Sequence, residues 1–434
     1  MPAPRSRIET VLNRFTADAS AALSGPAWLR ARRAAAFERF AATALPTGSE
    51  EVWRFSRIAD LDLDRYTPPS DGAPASAALP TELEPLVAAI GDRAALVVVR
   101  DGRVESSDLD ERLSMKGVSV GELSGFDDPE ELLAHHGEVD AFGELNDAFA
   151  GDTVVVMVPK GVAVERPIVI VHWFGSDGGS AFPRTIVRAG EASEVTVVEC
   201  VASPDIQGFV VPIVDVGVGE AANVRYLGVQ QLGPRVWQIA HQTSTVHRDA
   251  TLQAANVVLG GDYARVRTDS RLEGQGGTSN LLAVYFGDGT QMHDFRTLQD
   301  HVGLKTTSDL LFKGAVGGTA RGVYSGLIRV RPGAHGTNAF QTNRNLVLSE
   351  GAHADSVPNL EIEENDVKCS HASAVGPVEE EQRYYLESRG VPPTAADRLI
   401  VLGFFDDILE RTPVPALRPY LRAAVTAKVD RELA

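Results

Sequence analysis

Cysteine is almost missing from this chain: Cys200 and Cys369 are the two that its 434 residues contain, and no C-x-x-C occurs. A disulfide framework is excluded, and so is an iron–sulfur or zinc site built from these thiols alone, because such sites need about four ligands. Any metal chemistry must borrow its ligands. A basic surplus is missing too. Against 59 Asp and Glu stand 41 Lys and Arg, a formal charge of −18 that repels phosphate backbones and argues against nucleic acid as a partner. No apolar run approaches the ~18 residues of a membrane span, and the opening MPAPRSRIETVLNRF is charged where a secretory signal would be apolar. The expectation is a cytoplasmic protein with no membrane segment. Phosphate loops (G-x-x-x-x-G-K-[ST]), nucleophile elbows (G-x-S-x-G) and H-E-x-x-H helices are also absent, so the chain carries no nucleotide or hydrolase signature of its own.

What is present divides the chain in three. Residues 1–150 read as a helical and mixed domain. Ile8, Val11, Leu12 and Phe15 fall at helical spacing, Trp28, Leu29, Phe37 and Phe40 follow in an Ala/Arg-rich stretch ended by Pro46, and AALVVVR predicts a strand before an Asp101-Gly102 turn. Thr67 to Pro80, rich in Pro, Ala and Ser, reads as an exposed linker. Residues 151–376 are short Val/Ile/Leu/Thr runs broken by Gly and Asp. Within them AGEASEVTVVECV, VGEAANVRYLGVQ and VHRDATLQAANVVLGG begin at Ala189, Val218 and Val246, a repeat of about 28 to 29 residues without helical periodicity. Such a unit suits one coil of a parallel β-helix; an antiparallel sandwich, whose strands also recur every ~8–12 residues, is the rival. Residues 377–434 return to helix. Glu379 to Glu381 sit in a first turn and Gly390 at a C′ position, Thr394 and Asp397 suggest a capping box, and a last helix is expected from Leu417.

Cys369-Ser370-His371 is the segment with chemical potential. On a strand, positions 369 and 371 project to one face while Ser370 points away, which gives a soft metal two ligands. The same residues also fit a packed thiol beside a surface histidine, or a Cys-His nucleophile lacking an identified third group. Seven histidines (241, 247, 293, 301, 335, 353 and 371) are spaced like one per coil, which suits surface and turn positions rather than metal pairs. In ADRLIVLGFFDDILER apolar residues surround most of the helix, so it is buried on several sides, by its own chain or by another protein.

Leu310 to Gly390 carries QTNRNLVLS, ADSVPNLEI, DVKCSH and YYLESRG in that order, and this run resembles the core of the SufB/SufD family of iron–sulfur cluster assembly proteins. PTGSEEVWRF resembles the N-terminal segment of the SufD branch, and KCSH in a cysteine-poor chain is similar to that branch. Ala372-Ser373 after the histidine and Tyr324 where Phe is frequent are small departures. The resemblance implies a mainly β fold, a right-handed parallel β-helix flanked by N-terminal and C-terminal helical domains. It implies a scaffold rather than an enzyme, pairing with a SufB-like paralogue and docking a SufC-like ATPase on the C-terminal helices, for which Leu399, Leu402, Phe405 and Ile408 are the candidate contacts. A transient iron–sulfur cluster would be shared with the partner chain, with His371 favoured over Cys369 as its ligand and none held stably by the isolated chain. A homodimer working without a SufB-like partner is the second reading, and a carbohydrate-active β-helix enzyme, against which the missing carboxylate constellation weighs, the third.

Overall fold

The computed structural model describes residues 13–72, 79–133 and 140–433. Ile8, Val11 and Leu12 lie outside them, as does the middle of the linker. From Thr153 to Gly376 the chain winds between two sheets, one of ten strands and one of eleven, with successive coils paired in parallel. One inward column on the ten-stranded sheet runs Val195, Val224, Leu252, Ser279, Ser308, Ala339 and Cys369 in register, so coils are 27 to 31 residues long. This is a parallel β-solenoid, and each coil buries its inner face only against its neighbours.

The repeat seen in the sequence has a backbone cause. At one corner of each coil a residue adopts positive φ: Ala192 (53°), Ala221 (56°), Asp249 (55°) and Lys305 (53°), with Gly161, Gly276 and Gly336 at the equivalent places. That conformation costs a non-glycine residue roughly 1 kcal/mol, but it turns each amide along the solenoid axis. The N–H groups of Gly161, Ala192, Ala221, Asp249, Gly276, Lys305 and Gly336 donate to carbonyls one coil further on, at 2.7–2.9 Å. The small or acidic residue before each strand is therefore a corner residue in a hydrogen-bonded ladder.

The solenoid begins before residue 151. Ala95–Arg100 forms the expected strand, turns through Asp101 and Gly102, both at positive φ (48° and 83°), and returns antiparallel as Arg103–Leu109. Ala95–Arg100 also pairs in parallel with Ile168–Trp173, and Ser119–Glu122 pairs antiparallel with Thr153–Val158. Antiparallel strands thus close one end of both sheets.

Helices cover the two outer faces. On the eleven-stranded sheet, helices Ala27–Ala42 and Ala141–Phe149 and the short turns around Trp53 and Tyr66 pack Phe15, Phe40, Trp53, Phe142 and Phe149 on Phe182, Phe209, Trp237 and Tyr263. A buried ion network fastens this layer. Asp294, fully buried, accepts from Arg265 (2.7 Å), Arg296 (2.6 Å) and Tyr263 (2.9 Å), while the two arginines donate to the carbonyls of Val52 and Arg54 at 2.6 Å each. The Arg265 guanidinium lies 3.8 Å from the centre of the Trp53 ring. Burial works against the Asp294 carboxylate, but Arg265 and Arg296 outweigh it and hold its pKa below the ordinary value.

On the ten-stranded sheet, helices Pro393–Leu409 and Arg418–Glu432 lay Val401, Leu402, Phe405, Ile408, Leu421, Val425 and Val429 over Val198, Cys200, Leu227, Val257, Val284 and Phe286. Two buried lysines clamp them. Lys313 Nζ donates to the carbonyl of Phe404 (2.9 Å) and to Asp407 (2.7 Å), and Lys428 reaches the carbonyl of Leu259, Gln291 (2.7 Å) and Asp288 (2.9 Å). The expected capping box does not form: Pro392 is the N-cap, without a side-chain bond, and Asp397 instead pairs with Arg383 at 2.7 and 3.0 Å. Among the described residues no helix is long and apolar enough to cross a membrane.

Candidate functional site at the open end of the solenoid

Among the described residues, no capping element covers the end opposite the antiparallel closure. His353–Ile362 is the last strand of the eleven-stranded sheet and Lys368–Gly376 the last of the ten-stranded sheet, and each has a strand neighbour on one side only. Inward positions that the preceding coils bury are open here. Ile362 follows Val330 in its column and is 42% exposed, and Val375 follows Asn345 and is 43% exposed.

Cys369 and His371 occupy this rim. Cys369 stacks on Ala339 and His371 on Gln341, both inward and buried, whereas Ser370 stacks on the outward Phe340. Thiol and imidazole therefore share the inward face of the terminal strand. Cys369 is half-buried against the Ile328, Val330, Ala334 and Ala339 cluster, with Leu360 and Val367 beside it; His371 is exposed. Burial raises the Cys369 pKa, and a hydrogen bond from the Ala339 amide partly offsets it. A metal bound there must displace a proton, so affinity falls as pH falls. Among the described residues no group of three His, Cys, Asp or Glu is placed to hold a metal ion. The terminal strand presents two donor groups on one face, the Cys369 thiol and the His371 imidazole.

Other candidates are placed elsewhere. Cys200 is fully buried beneath the C-terminal helices, and burial, reinforced by Glu199, pushes its thiol up to about 12. His293 and His301 are not surface residues: both are fully buried, burial lowers them to about 3 and about 4, and His301 is held by Thr306 and Ser308 at 2.8 and 2.9 Å. Of the expected docking residues, Leu402 (4% exposed), Phe405 and Ile408 (0%) are consumed by the chain's own core, a correction to the reading that they face a partner. Leu399 remains outside at 51%; helix Glu380–Ser388, joined to the same helix through Arg383 and Asp397, buries no residue and exposes Tyr384 (74%) and Tyr385 (58%).

Sequence reasoning missed the polar interior. Glu199, fully enclosed, accepts from Thr185 and Tyr226 and meets His172, each at 2.7 Å, beside a cavity of about 50 Å³ that Gln230, Gln238, Gln242 and Asn256 also line. The alternation in EVTVVE puts Glu199 inward, which is the signal that was available. The column from Tyr226 through Ala254, Leu281, Leu310 and Gln341 to His371 makes five strand steps, roughly 24 Å at ~4.8 Å each, so this cluster is separate from the rim.

The arrangement defines a class: an open-ended parallel β-solenoid that presents a thiol and an imidazole at an uncapped edge. Comparison with known proteins identifies it further. Residues 172–404 match the family model "SUF system FeS cluster assembly, SufBD core domain", and residues 17–170 match "SufBD protein N-terminal region". The chain belongs to the SufBD family of the SUF iron–sulfur cluster assembly system. It is 35% identical over 298 residues to an iron–sulfur cluster assembly SufBD family protein of Mycobacterium tuberculosis, covering 67% of this chain and 73% of that one. Along nearly the whole length it is similar to two proteins named SufD, from Bacillus subtilis (28% identical; 93% and 94% covered) and Escherichia coli (27%; 90% of each).

Proposed function

We propose that the chain is a SufD-type scaffold subunit that completes an iron–sulfur cluster site with a second chain and performs no catalysis of its own. The observation that carries this reading is the uncapped rim. A solenoid end needs a polar capping coil to be stable in water, yet here Val375 and Ile362 face inward and remain 43% and 42% exposed, on strands with unpaired edges. A paralogous SufB-like solenoid meeting this end would cover both residues and bring its own ligands to Cys369 and His371. Four-ligand chemistry would then be reached across the interface, with His371 the favoured donor from this side. The cluster is cargo, assembled there and passed on.

The outward surface of helix Glu380–Ser388, together with Leu399 on the following helix, is the proposed contact for a SufC-like ATPase: tyrosines are favoured interface residues, and Tyr384 and Tyr385 are exposed among the described residues. The helices beneath are clamped to the sheet by Lys313 and Lys428, so force applied there would be transmitted to the solenoid.

Co-expression with a SufB-like paralogue and a SufC-like ATPase tests this. Val375→Asp should lose the paralogue and keep the ATPase; Tyr385→Asp with Leu399→Asp should do the reverse. A chain that co-purifies with neither would sink the reading. The same apolar rim also fits a second copy of this chain, and the mass of the purified chain in solution decides whether it pairs with itself when alone.

A further inference from the structure

The rim motifs contain polar residues that the ligand pair does not use. In QTNRNLVLS the alternate residues Gln341, Asn343 and Asn345 point inward and are buried, and in ADSVPNLEI the half-buried Ser356 points inward in the column after Tyr324. The coils just before fill the same columns with mostly apolar groups: Leu310 and Leu281 precede Gln341, Phe312 and Ala283 precede Asn343, and Gly314 and Tyr285 precede Asn345. Apolar residues would fit, and a buried amide is unfavourable unless every group is paired.

For Asn343 the pairing is complete. Asn343 Oδ1 accepts from Ser356 Oγ and from Asn345 Nδ2, each at 2.7 Å; Asn343 Nδ2 donates to Tyr285 Oη (3.0 Å) and to the carbonyl of Phe312 (3.2 Å). All four hydrogen-bonding positions of the amide are filled. Tyr285 Oη closes the circuit by donating to Asn345 Oδ1 at 2.6 Å. Room for this ring comes from Gly314, where a Cβ would lie 2.0 Å from the Tyr285 ring. From the buried hub the chain of bonds runs outward: Ser356 to Asn343, then Ser373 Oγ donating to Ser356 Oγ at 2.7 Å. Ser373 is the next inward position after His371 on the terminal strand.

We propose that Asn343, Ser356 and Ser373 are positioning residues: they tie the terminal strand, which has one strand neighbour and few buried side chains, to the rigid interior so that Cys369 and His371 are presented in fixed geometry. The Ser356–Ser373 bond joins the last strand of one sheet to the last strand of the other, across the solenoid mouth. Directional bonds set the position of this strand where apolar packing, half lost to solvent, does not. The role rests on reading Cys369 and His371 as the ligand pair, but the bonds can be tested without any cluster.

Cys369 is itself the probe, since Cys200 is fully buried. In the purified full chain, the rate at which a small maleimide labels Cys369 should rise about two- to ten-fold in Ser356→Ala and in Ser373→Ala, the effect of one net hydrogen bond. Ser356→Thr, which keeps the hydroxyl, should label as the parent does, and Cys200 should stay unlabelled throughout. Unchanged Cys369 labelling in both alanine variants would overturn the proposal. So would Cys200 becoming reactive in Ser356→Ala, which would make the bonds general supports of the fold. Ser373 is exposed, so its variant stays informative if Ser356→Ala folds poorly. Faster labelling alongside normal cluster loading by His371→Ala would leave the positioning role standing and the ligand reading fallen.

Discussion

Phe405→Ala should loosen the C-terminal helices from the solenoid without disturbing its rim. Phe405 is fully buried, its ring centre 6.0 Å from that of Phe286 on the sheet and 5.1 Å from that of Phe404. Truncating such a ring leaves a cavity and costs about 3–5 kcal/mol, a factor of roughly 10²–10⁴ in the equilibrium between docked and undocked helices. The two thiols report where that energy goes. Cys200 lies in the same apolar cluster as Phe405, and its raised pKa leaves it inert until the helices lift; Cys369 sits at the far rim. Mass spectrometry of maleimide-treated protein should show Cys200 labelling accelerated at least a hundred-fold and Cys369 labelling unchanged. Leu399→Asp, at a 51% exposed position on the same helix, should label as the parent does, because surface changes stay within ~0.5 kcal/mol. A Cys200 rate that rises less than about three-fold in Phe405→Ala would refute the assignment of this residue to the chain's own core.

Asp294→Asn keeps the shape of the N-terminal ion network but leaves Arg265 and Arg296 buried without a counter-charge, so urea unfolding should show a loss of about 3–5 kcal/mol; less than ~1 kcal/mol would mean the arginines find water. Acid should weaken the fold through His293 and His301. Burial holds them to about 3 and about 4, below the ordinary value of 6.5, so their contribution is intact above pH 6.5 and is lost as the unfolded chain takes up protons below it. At ~1.4 kcal/mol per pH unit for each group, about 2–3 kcal/mol should be gone by pH 5.5. Equal urea midpoints at pH 7.5 and 5.5 would show that both imidazoles protonate within the fold.

The solenoid was legible because its corners repeat. Ala192, Ala221 and Asp249 recur at coil spacing for a backbone reason, and inward valines alternate visibly with polar neighbours. Gly390 likewise marked a helix end, and it has the positive φ (84°) of a C′ residue. What stayed hidden depends on partners distant in sequence. Nothing local in AALVVVR announces pairing with Ile168–Trp173. Apolar residues around a whole helix look the same whether a sheet of the same chain or another protein covers them, so the pattern could not overrule the docking role that the resemblance implied for Leu402, Phe405 and Ile408. In QTNRN the inward face is polar, the reverse of the usual alternation, so the Asn343 hub is invisible until Tyr285, 58 residues away, is placed beside it.

His371→Ala, in a purified complex of this chain with a SufB-like paralogue and a SufC-like ATPase, tests the central claim most directly. Iron and sulfide content after anaerobic reconstitution should fall sharply while the complex elutes as before, and Cys369→Ser should do less, since packing alone accounts for that thiol. A His371→Ala complex that assembles and loads iron and sulfide like the parent would contradict the account.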